Sequence, residues 1–305
     1  MYTQNQSTVM EFIFLGFAVD PLVQIWLFHI FLVFYMTTLT GNLLLILAVR
    51  TDKRLHTSMY FFLSSLSFLD ICYTSSIVPK MLVHFLSPKK SISFTGCALQ
   101  FCIALTMGQT KCLLLAFMAY DRYVAICIPL RYNMMMNTTV CFWMISMSLL
   151  SGCIAASFET YLTFRLIYCG PNTMNHFFCE LPPLLRLSCS DTSAINNARL
   201  VFLPFMLFIP LSLVLISYIR IVTAVMTIRL GKNKAFSTCI SHLVVVVIFY
   251  GTAIFMYTKP ENAVTEDTDK KVAVFYTVIT PMINPLIYSL RNKDVQKAMK
   301  SLIRA

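Results

Sequence analysis

Seven stretches of this chain are long and apolar enough to cross a bilayer, and they leave few other ways to fold it. A helix needs about 20 apolar residues to span the hydrocarbon core. The stretches are residues 25–49, with no Asp, Glu, Lys or Arg; 57–79, whose one charge is Asp70; a third from near residue 91 to Asp121 and Arg122, with Lys111 inside it; 132–158, uncharged; a fifth between Arg199 and Arg220; 235–258; and 272–290. Backbone at membrane depth must satisfy its own hydrogen bonds, so these read as seven helices. A transmembrane β-barrel needs alternating strands of about ten residues, and these stretches do not alternate. Composition agrees: 58% of the 305 residues are hydrophobic and 12% charged, against about 45–50% and about 25% in a soluble domain. That excludes an ordinary soluble enzyme and a disordered chain. The net charge of +11 would suit a nucleic-acid binder only if the basic residues shared a solvated face. They punctuate apolar runs instead, so no nucleic-acid partner is expected.

Basic residues in short loops stay cytoplasmic. With the N-terminus outside, the cytoplasmic side holds fourteen basic residues, from Arg50, Lys53 and Arg54 to Lys300 and Arg304, against Asp52, Asp121 and Asp294. The outer side, in which Glu159 and Arg199 are counted, then sums to zero, and Lys111 cancels Asp70. No Lys or Arg precedes Arg50, so a cleaved signal peptide is not expected and the first helix starts insertion. Asn5-Gln6-Ser7 is a glycosylation sequon on the outer tail; Asn137-Thr138-Thr139 also matches, at the cytoplasmic end of the fourth stretch. Of eleven cysteines, Cys97, Cys169, Cys179 and Cys189 fall on the oxidising side, enough for two bridges. Four cysteines allow three pairings.

Motifs separate the seven-helix classes. The third stretch ends Met118-Ala119-Tyr120-Asp121-Arg122-Tyr123-Val124-Ala125-Ile126-Cys127, and the sixth is introduced by Lys234-Ala235-Phe236-Ser237-Thr238-Cys239 followed by Ser241-His242-Leu243. The seventh closes Pro281-Met282-Ile283-Asn284-Pro285-Leu286-Ile287-Tyr288, and the second opens Leu55-His56-Thr57-Ser58-Met59-Tyr60. With Gly41-Asn42, Ser217-Tyr218 and Phe249-Tyr250-Gly251, the chain resembles an olfactory receptor of the rhodopsin-like G-protein-coupled class, class II (tetrapod type), over essentially its whole length. The implied fold is all-α: a seven-transmembrane bundle with its N-terminus extracellular. The implied layout is an outer tail over residues 1–22, a receptor domain over 23–291, and a cytoplasmic amphipathic helix and C-terminus over 292–305. In that last segment Val295, Ala298, Met299, Leu302 and Ile303 recur at helical spacing among Lys293, Lys297, Lys300 and Arg304, a pattern for an interfacial helix on anionic lipid.

The resemblance implies an odorant receptor that binds small, mostly neutral volatile molecules and drives a stimulatory olfactory G protein to raise cyclic AMP. Trafficking chaperones, the plasma membrane of olfactory cilia, no enzymatic activity and no cofactor belong to the same implication. Arg122 would be held at rest by Asp121 and neighbouring helices, since burying it unpaired is costly. Tyr123, Tyr218, His242, Asn284, Pro285 and Tyr288 join these two in the activation set. Interfacial tyrosine is a rival reading for Tyr218. Pro210 and Pro285 each remove a backbone donor and favour a kink. Bridges are implied from Cys97 to Cys179 and from Cys169 to Cys189. His176, Cys179 and Glu180 have a spacing that could ligate copper or zinc, but a cysteine in a disulfide has no thiolate to offer, so no metal is expected.

The implied ligand-binding set is Ala104, Leu105, Gly108 and Gln109; Phe202 and Met206; Ala253, Ile254 and Tyr257; and Val274 and Thr277. Residue 104, where an amine receptor would carry a carboxylate, is alanine, which points to a neutral ligand held by burial and one or two hydrogen bonds. Two positions depart from the family. Many members have an acid at 111 that joins the aspartate of the second helix in a cation site; here Lys111 faces that role, and a Lys111–Asp70 ion pair is expected to replace bound sodium. Ser58 stands where proline is usual and fixes φ less firmly, so a looser start to the second helix is expected.

Rival classes lack their features. A transporter or channel calls for broken helices or a file of charges, an opsin for a lysine within 272–290, and a membrane enzyme for a nucleophile-base set or phosphate loop. None is present in the sequence.

Overall fold

A computed structural model describes residues 9–17, 19–227, 232–258, 266–291 and 293–304. Seven helices long and apolar enough to span a membrane form a bundle, α1 (Pro21–Thr51), α2 (Ser58–Leu86), α3 (Phe94–Cys127), α4 (Thr138–Phe164), α5, α6 (Lys232–Thr258) and α7. In α5, Ser193–Leu203 and Ile209–Thr227 are joined through a π-turn at Pro204–Phe208; in α7, Glu266–Val274 and Thr280–Arg291 are joined through one at Phe275–Ile279. An eighth helix, α8 (Lys293–Arg304), follows.

These helices are apolar on nearly every face, so packing rather than polarity decides which side turns inward. In α1, Phe31, Asn42, Leu45 and Ala48 are buried while Leu22, Trp26, Val33 and Leu43 stay exposed on the side a lipid would cover. Hydroxyls inside the helices return to the carbonyl four residues back: Thr38 donates to Phe34 O at 2.8 Å, Thr110 to Thr106 O at 2.7 Å, and Thr163 to Glu159 O at 2.7 Å. That closes their hydrogen bonds without water. Small residues set the closest approaches. A Cβ on Gly152 of α4 would meet Thr110 Oγ1 at 2.7 Å and Thr106 O at 3.1 Å, and one on Gly41 of α1 would meet Pro285 Cγ at 3.1 Å.

Several helix ends carry their own caps. Ser93 Oγ accepts from Gly96 N at 3.1 Å, and Asn137 Oδ1 accepts from Val140 N at 2.9 Å, satisfying donors that the first turn leaves open. The Ser58 hydroxyl donates to Met136 O at 2.5 Å, tying the start of α2 to the loop before α4 through a bond that proline could not make.

At the end of the bundle carrying both disulfides, residues 11–14 form a strand inside the segment expected as a tail. The strand β1 (Glu11–Phe14) lies between β2 (Ser91–Ser93), antiparallel with Phe12 opposite Ile92, and β3 (Thr173–Met174), parallel with Phe14 opposite Met174. Strand alternation turns Phe12 and Phe14 inward while Ile13 stays exposed. They join Phe101, Met174, Leu181 and Leu184 in a cluster capping that end. At the opposite end, α8 lays Val295 and Ala298 into the core with Met299 and Leu302 against it, while Lys297 and Lys300 are exposed.

Candidate functional site

Beneath the cap lies a cavity of about 150 Å³, walled by α3, α4, α5, α6 and α7 and roofed by Phe178, Cys179 and Glu180 of the segment between α4 and α5. Two bridges hold that roof, Cys97 to Cys179 at the start of α3 and Cys169 to Cys189 within the segment. Gln100 of α3 adds a clamp: its Oε1 accepts from Cys179 N at 2.9 Å and its Nε2 donates to Ser76 O at 2.9 Å. Cys179 is thus consumed in a bridge. Glu180 accepts from Tyr276 Oη at 2.5 Å and lies 3.6 Å from His176 Nε2, so the acid and histidine serve the roof.

Seven of the expected ligand residues line the cavity: Ala104, Leu105, Gly108, Gln109, Phe202, Met206 and Ala253. Val274 and Thr277 do not. The π-turn over Phe275–Ile279 holds an extra residue per turn and shifts the helix face, so Tyr276 faces the cavity instead. Thr277 is buried with its hydroxyl on Ala273 O at 2.6 Å. On α6 the lining positions are Phe249, Thr252, Ala253 and Met256, which leaves Ile254 packed on the core to one side. The side chain of Tyr257, like Asn5, lies outside the described residues. The sequence reading also missed Glu159 and Arg199, both of which line the cavity. Both count as outer charges when the fourth stretch ends at 158 and the fifth lies between Arg199 and Arg220. The helix in fact runs to Phe164 and α5 begins at Ser193, which brings both side chains to the wall. Glu159 stands at helical spacing from Ala155, Ala156 and Thr163, and all four are buried.

Lys111 forms the floor and closes an ion pair. Its Nζ lies 2.5 Å from Asp70 Oδ1, with the two side chains 5% and 0% exposed, and 4.5 Å above the Tyr73 ring. Asp70 Oδ2 accepts from Asn284 Nδ2 at 2.8 Å, so one carboxylate joins α2, α3 and α7. Asn42 of α1 donates to Pro281 O at 3.1 Å, extending the join to the segment before Pro285.

The far end of α3 differs from expectation. Asp121 is buried, but its Oδ1 accepts from Tyr132 Oη at 2.9 Å, and among the described residues it makes no ion pair with Arg122. Arg122 Nε is buried with no hydrogen-bond partner. Adjacent residues on a helix point about 100° apart, so Tyr132 from the following segment reaches the carboxylate that Arg122 cannot face. Burial, reinforced by the Asp121 carboxylate, pushes the Tyr132 phenol up to about 12, which keeps it a donor. Further along, Tyr218 Oη and His242 Nδ1 lie 2.6 Å apart with their rings stacked, linking α5 to α6. Tyr250 Oη of α6 donates to Cys112 O of α3 at 2.7 Å. Among the described residues, Tyr288 Oη is buried without a hydrogen-bond partner. The result is a roofed cavity at one end, a buried polar join at mid-depth, and a set of polar atoms without partners among the described residues around Arg122 at the other.

A profile of the olfactory receptor family matches residues 31–305. The chain is 50% identical over 302 residues to mouse (Mus musculus) olfactory receptor 5AP2, covering 98% of this chain and 95% of that protein. It is 49% identical to human (Homo sapiens) olfactory receptor 5AP2, with 98% and 96% covered. It is 50% identical to the dog (Canis lupus familiaris) olfactory receptor-like protein OLF1, with 98% and 97% covered. Among solved structures, the crystal structure of squid rhodopsin superimposes with a TM-score of 0.75 over 94% of this chain and 87% of that chain, at 20% identity, a likeness of fold.

Proposed function

Because the chain belongs to the olfactory receptor family, whose members are multi-pass plasma-membrane signalling receptors and not enzymes, we propose that it senses small volatile molecules in the cavity under the disulfide-held roof. The signal passes to a stimulatory olfactory G protein at the Arg122 end and raises cyclic AMP. The carrying observation is the pairing of a roofed, largely apolar cavity with an arginine whose Nε is buried and, among the described residues, unbonded at the opposite end of the same helix. Orientation follows the charge: the disulfide end faces outward and the basic end inward. Residues 1–22, 23–291 and 292–305 serve as outer tail, receptor domain and lipid-facing helix, glycan attaches at Asn5, and cilia are the expected location.

A ligand filling the cavity presses on Phe202 and Met206 of α5, on Ala253 of α6 and on Tyr276 of α7. The nearest restraint on α6 is the Tyr250 bond to Cys112 O, and Cys112 itself lines the cavity floor. Moving α6 outward stretches that bond and the Tyr218–His242 contact, and opens the space in which Arg122 meets the G protein. Asp121 stays with Tyr132 and leaves Arg122 available, while Tyr123 flanks it. Tyr218 and Tyr288 supply hydroxyls to steady the open form, and Asn284 and Pro285 form the hinge of α7. Between these ends, the Lys111–Asp70 pair takes the place of a bound cation and ties α2, α3 and α7 in the resting state.

The test is heterologous expression with trafficking chaperones and the olfactory G protein. Surface staining is confirmed first, and cyclic AMP is then read against a broad volatile panel beside Arg122→Ala. A ligand-dependent rise that vanishes in the variant supports the reading. A rise that persists unchanged removes Arg122 from the mechanism.

A further inference from the structure

Glu159 lines the cavity without an ion-pair partner among the described residues. Glu159 is 7% exposed, and its Oε1 accepts from Gln109 Nε2 at 3.0 Å. Among the described residues that is its only side-chain hydrogen bond, and no Lys, Arg or His nitrogen comes within the 4.0 Å of an ion pair. The other charges on the wall are placed differently. Lys111 is paired with Asp70, Glu180 is held by Tyr276 and His176, and Arg199 lines the cavity without reaching Glu159 within that distance. Beside Glu159, Gln109 Oε1 is buried and accepts no hydrogen bond.

A carboxyl group and an amide oxygen without a donor therefore stand side by side at this wall, and neither a neutral amide nor an apolar wall offsets the charge when the carboxyl ionises. An ammonium group has three N–H donors and no acceptor, so it brings both the counter-charge that lets Glu159 ionise and donors for the two oxygens. An alcohol brings one donor and no counter-charge. The remaining wall, with Leu105, Phe202 and Met206, suits a hydrocarbon body. A volume of about 150 Å³ matches that of an engineered cavity that takes up benzene, so a body of about one six-membered ring fits.

We propose that the ligand class of this cavity is a small primary amine, bound as its ammonium with Glu159 as counter-ion and Gln109 Oε1 as second acceptor. The inference rests on the odorant-receptor reading and narrows it. Ala104 still offers no carboxylate, as the sequence indicated; the counter-charge comes from α4 instead.

Three probes of one shape separate the possibilities: cyclohexylamine, cyclohexanol and methylcyclohexane. They are applied to the full chain in the cyclic AMP assay and, purified in lipid nanodiscs, in thermal-shift measurements. Cyclohexylamine is expected to be at least about tenfold more potent than cyclohexanol, the range of a hydrogen bond to a charged group, and to stabilise the purified receptor most. Glu159→Gln is expected to collapse that difference, Glu159→Asp to keep part of it, and Gln109→Met to weaken the amine more than methylcyclohexane. Cyclohexanol matching or exceeding the amine on the wild-type chain overturns the proposal without any variant. So does Glu159→Gln shifting amine and alcohol alike. If other volatiles act while the amine neither signals nor stabilises, the amine inference falls and the receptor reading stands. If nothing in the broad panel signals or stabilises, both fall.

Discussion

Replacing Lys111 by methionine removes the cation that compensates Asp70 while keeping an unbranched side chain only one atom shorter. At the observed 2.5 Å, two unit charges attract by about 7 kcal/mol in an effective dielectric near 20. Stripping water from each ion costs several kcal/mol, so the intact pair contributes little net stability. The single variant loses the attraction and keeps the cost, because Asp70 is fully buried and retains only the neutral Asn284 amide. Breaking a buried pair in this way costs roughly 3–5 kcal/mol. Asp70→Asn on top of Lys111→Met removes the stranded charge and is expected to recover most of that loss. The assay is thermal unfolding in detergent followed with a thiol-reactive dye, since Cys112, Cys141 and Cys239 are free and buried. Coupling is read from the double-mutant cycle. If the two substitutions add within about 0.5 kcal/mol, as independent sites do, the pair is not a functional unit and the reasoning fails. A second arm uses Lys111→Glu, which sets two carboxylates at one site and so demands a cation. Sodium in place of choline is expected to stabilise this variant and leave the wild-type chain unmoved; no new sodium dependence would remove the idea that lysine substitutes for the ion.

Other consequences are simpler. Ser58→Ala deletes the bond to Met136 O and is expected to lower stability by about 1 kcal/mol, read in the same unfolding assay. Gly152→Val forces a Cβ against Thr110 Oγ1 and Thr106 O. Its expected cost of about 1–3 kcal/mol or more would show as reduced surface staining, and a normal level would contradict the close α3–α4 contact. Cys97→Ser opens the bridge to Cys179 and is expected to cost about 2–5 kcal/mol and to abolish ligand-induced stabilisation, because the roof carries Phe178, Cys179 and Glu180. Tyr132→Phe leaves Asp121 buried without its donor; a loss of roughly 1.5–3 kcal/mol is expected, and its absence would mean that water or another group takes over the bond.

Expectation and structure diverge at particular residues. Helix ends were the weak point: closing the fourth stretch at 158 put Glu159 outside, whereas α4 continues for more than a turn beyond it. One charged residue near the end of an apolar run is read by hydropathy as a boundary, although a packed helix can bury it against a cavity. The face of α7 was misjudged for another reason. Spacing of three and four residues assumes a regular helix, and the π-turn at Phe275–Ile279 moves Tyr276 to the wall in place of Thr277. Asp121 and Arg122 are neighbours in sequence, yet the partner of Asp121 is Tyr132.

What the sequence determined alone is the class of molecule. Seven uncharged or nearly uncharged runs must become helices because unpaired backbone cannot be left in hydrocarbon, the loop strings carry the family, and a lone lysine at membrane depth needs an acid, of which Asp70 is the one inside a neighbouring run. Tertiary structure decided the rest. Which apolar face turns inward carries almost no signal in helices that are apolar all round. Cavity walls therefore depend on helix phase, on contacts such as Gly152 against Thr110, and on a roof whose position is set by two disulfides and the bonds of Gln100. These are distances between segments far apart in the chain, and only packing brings them together.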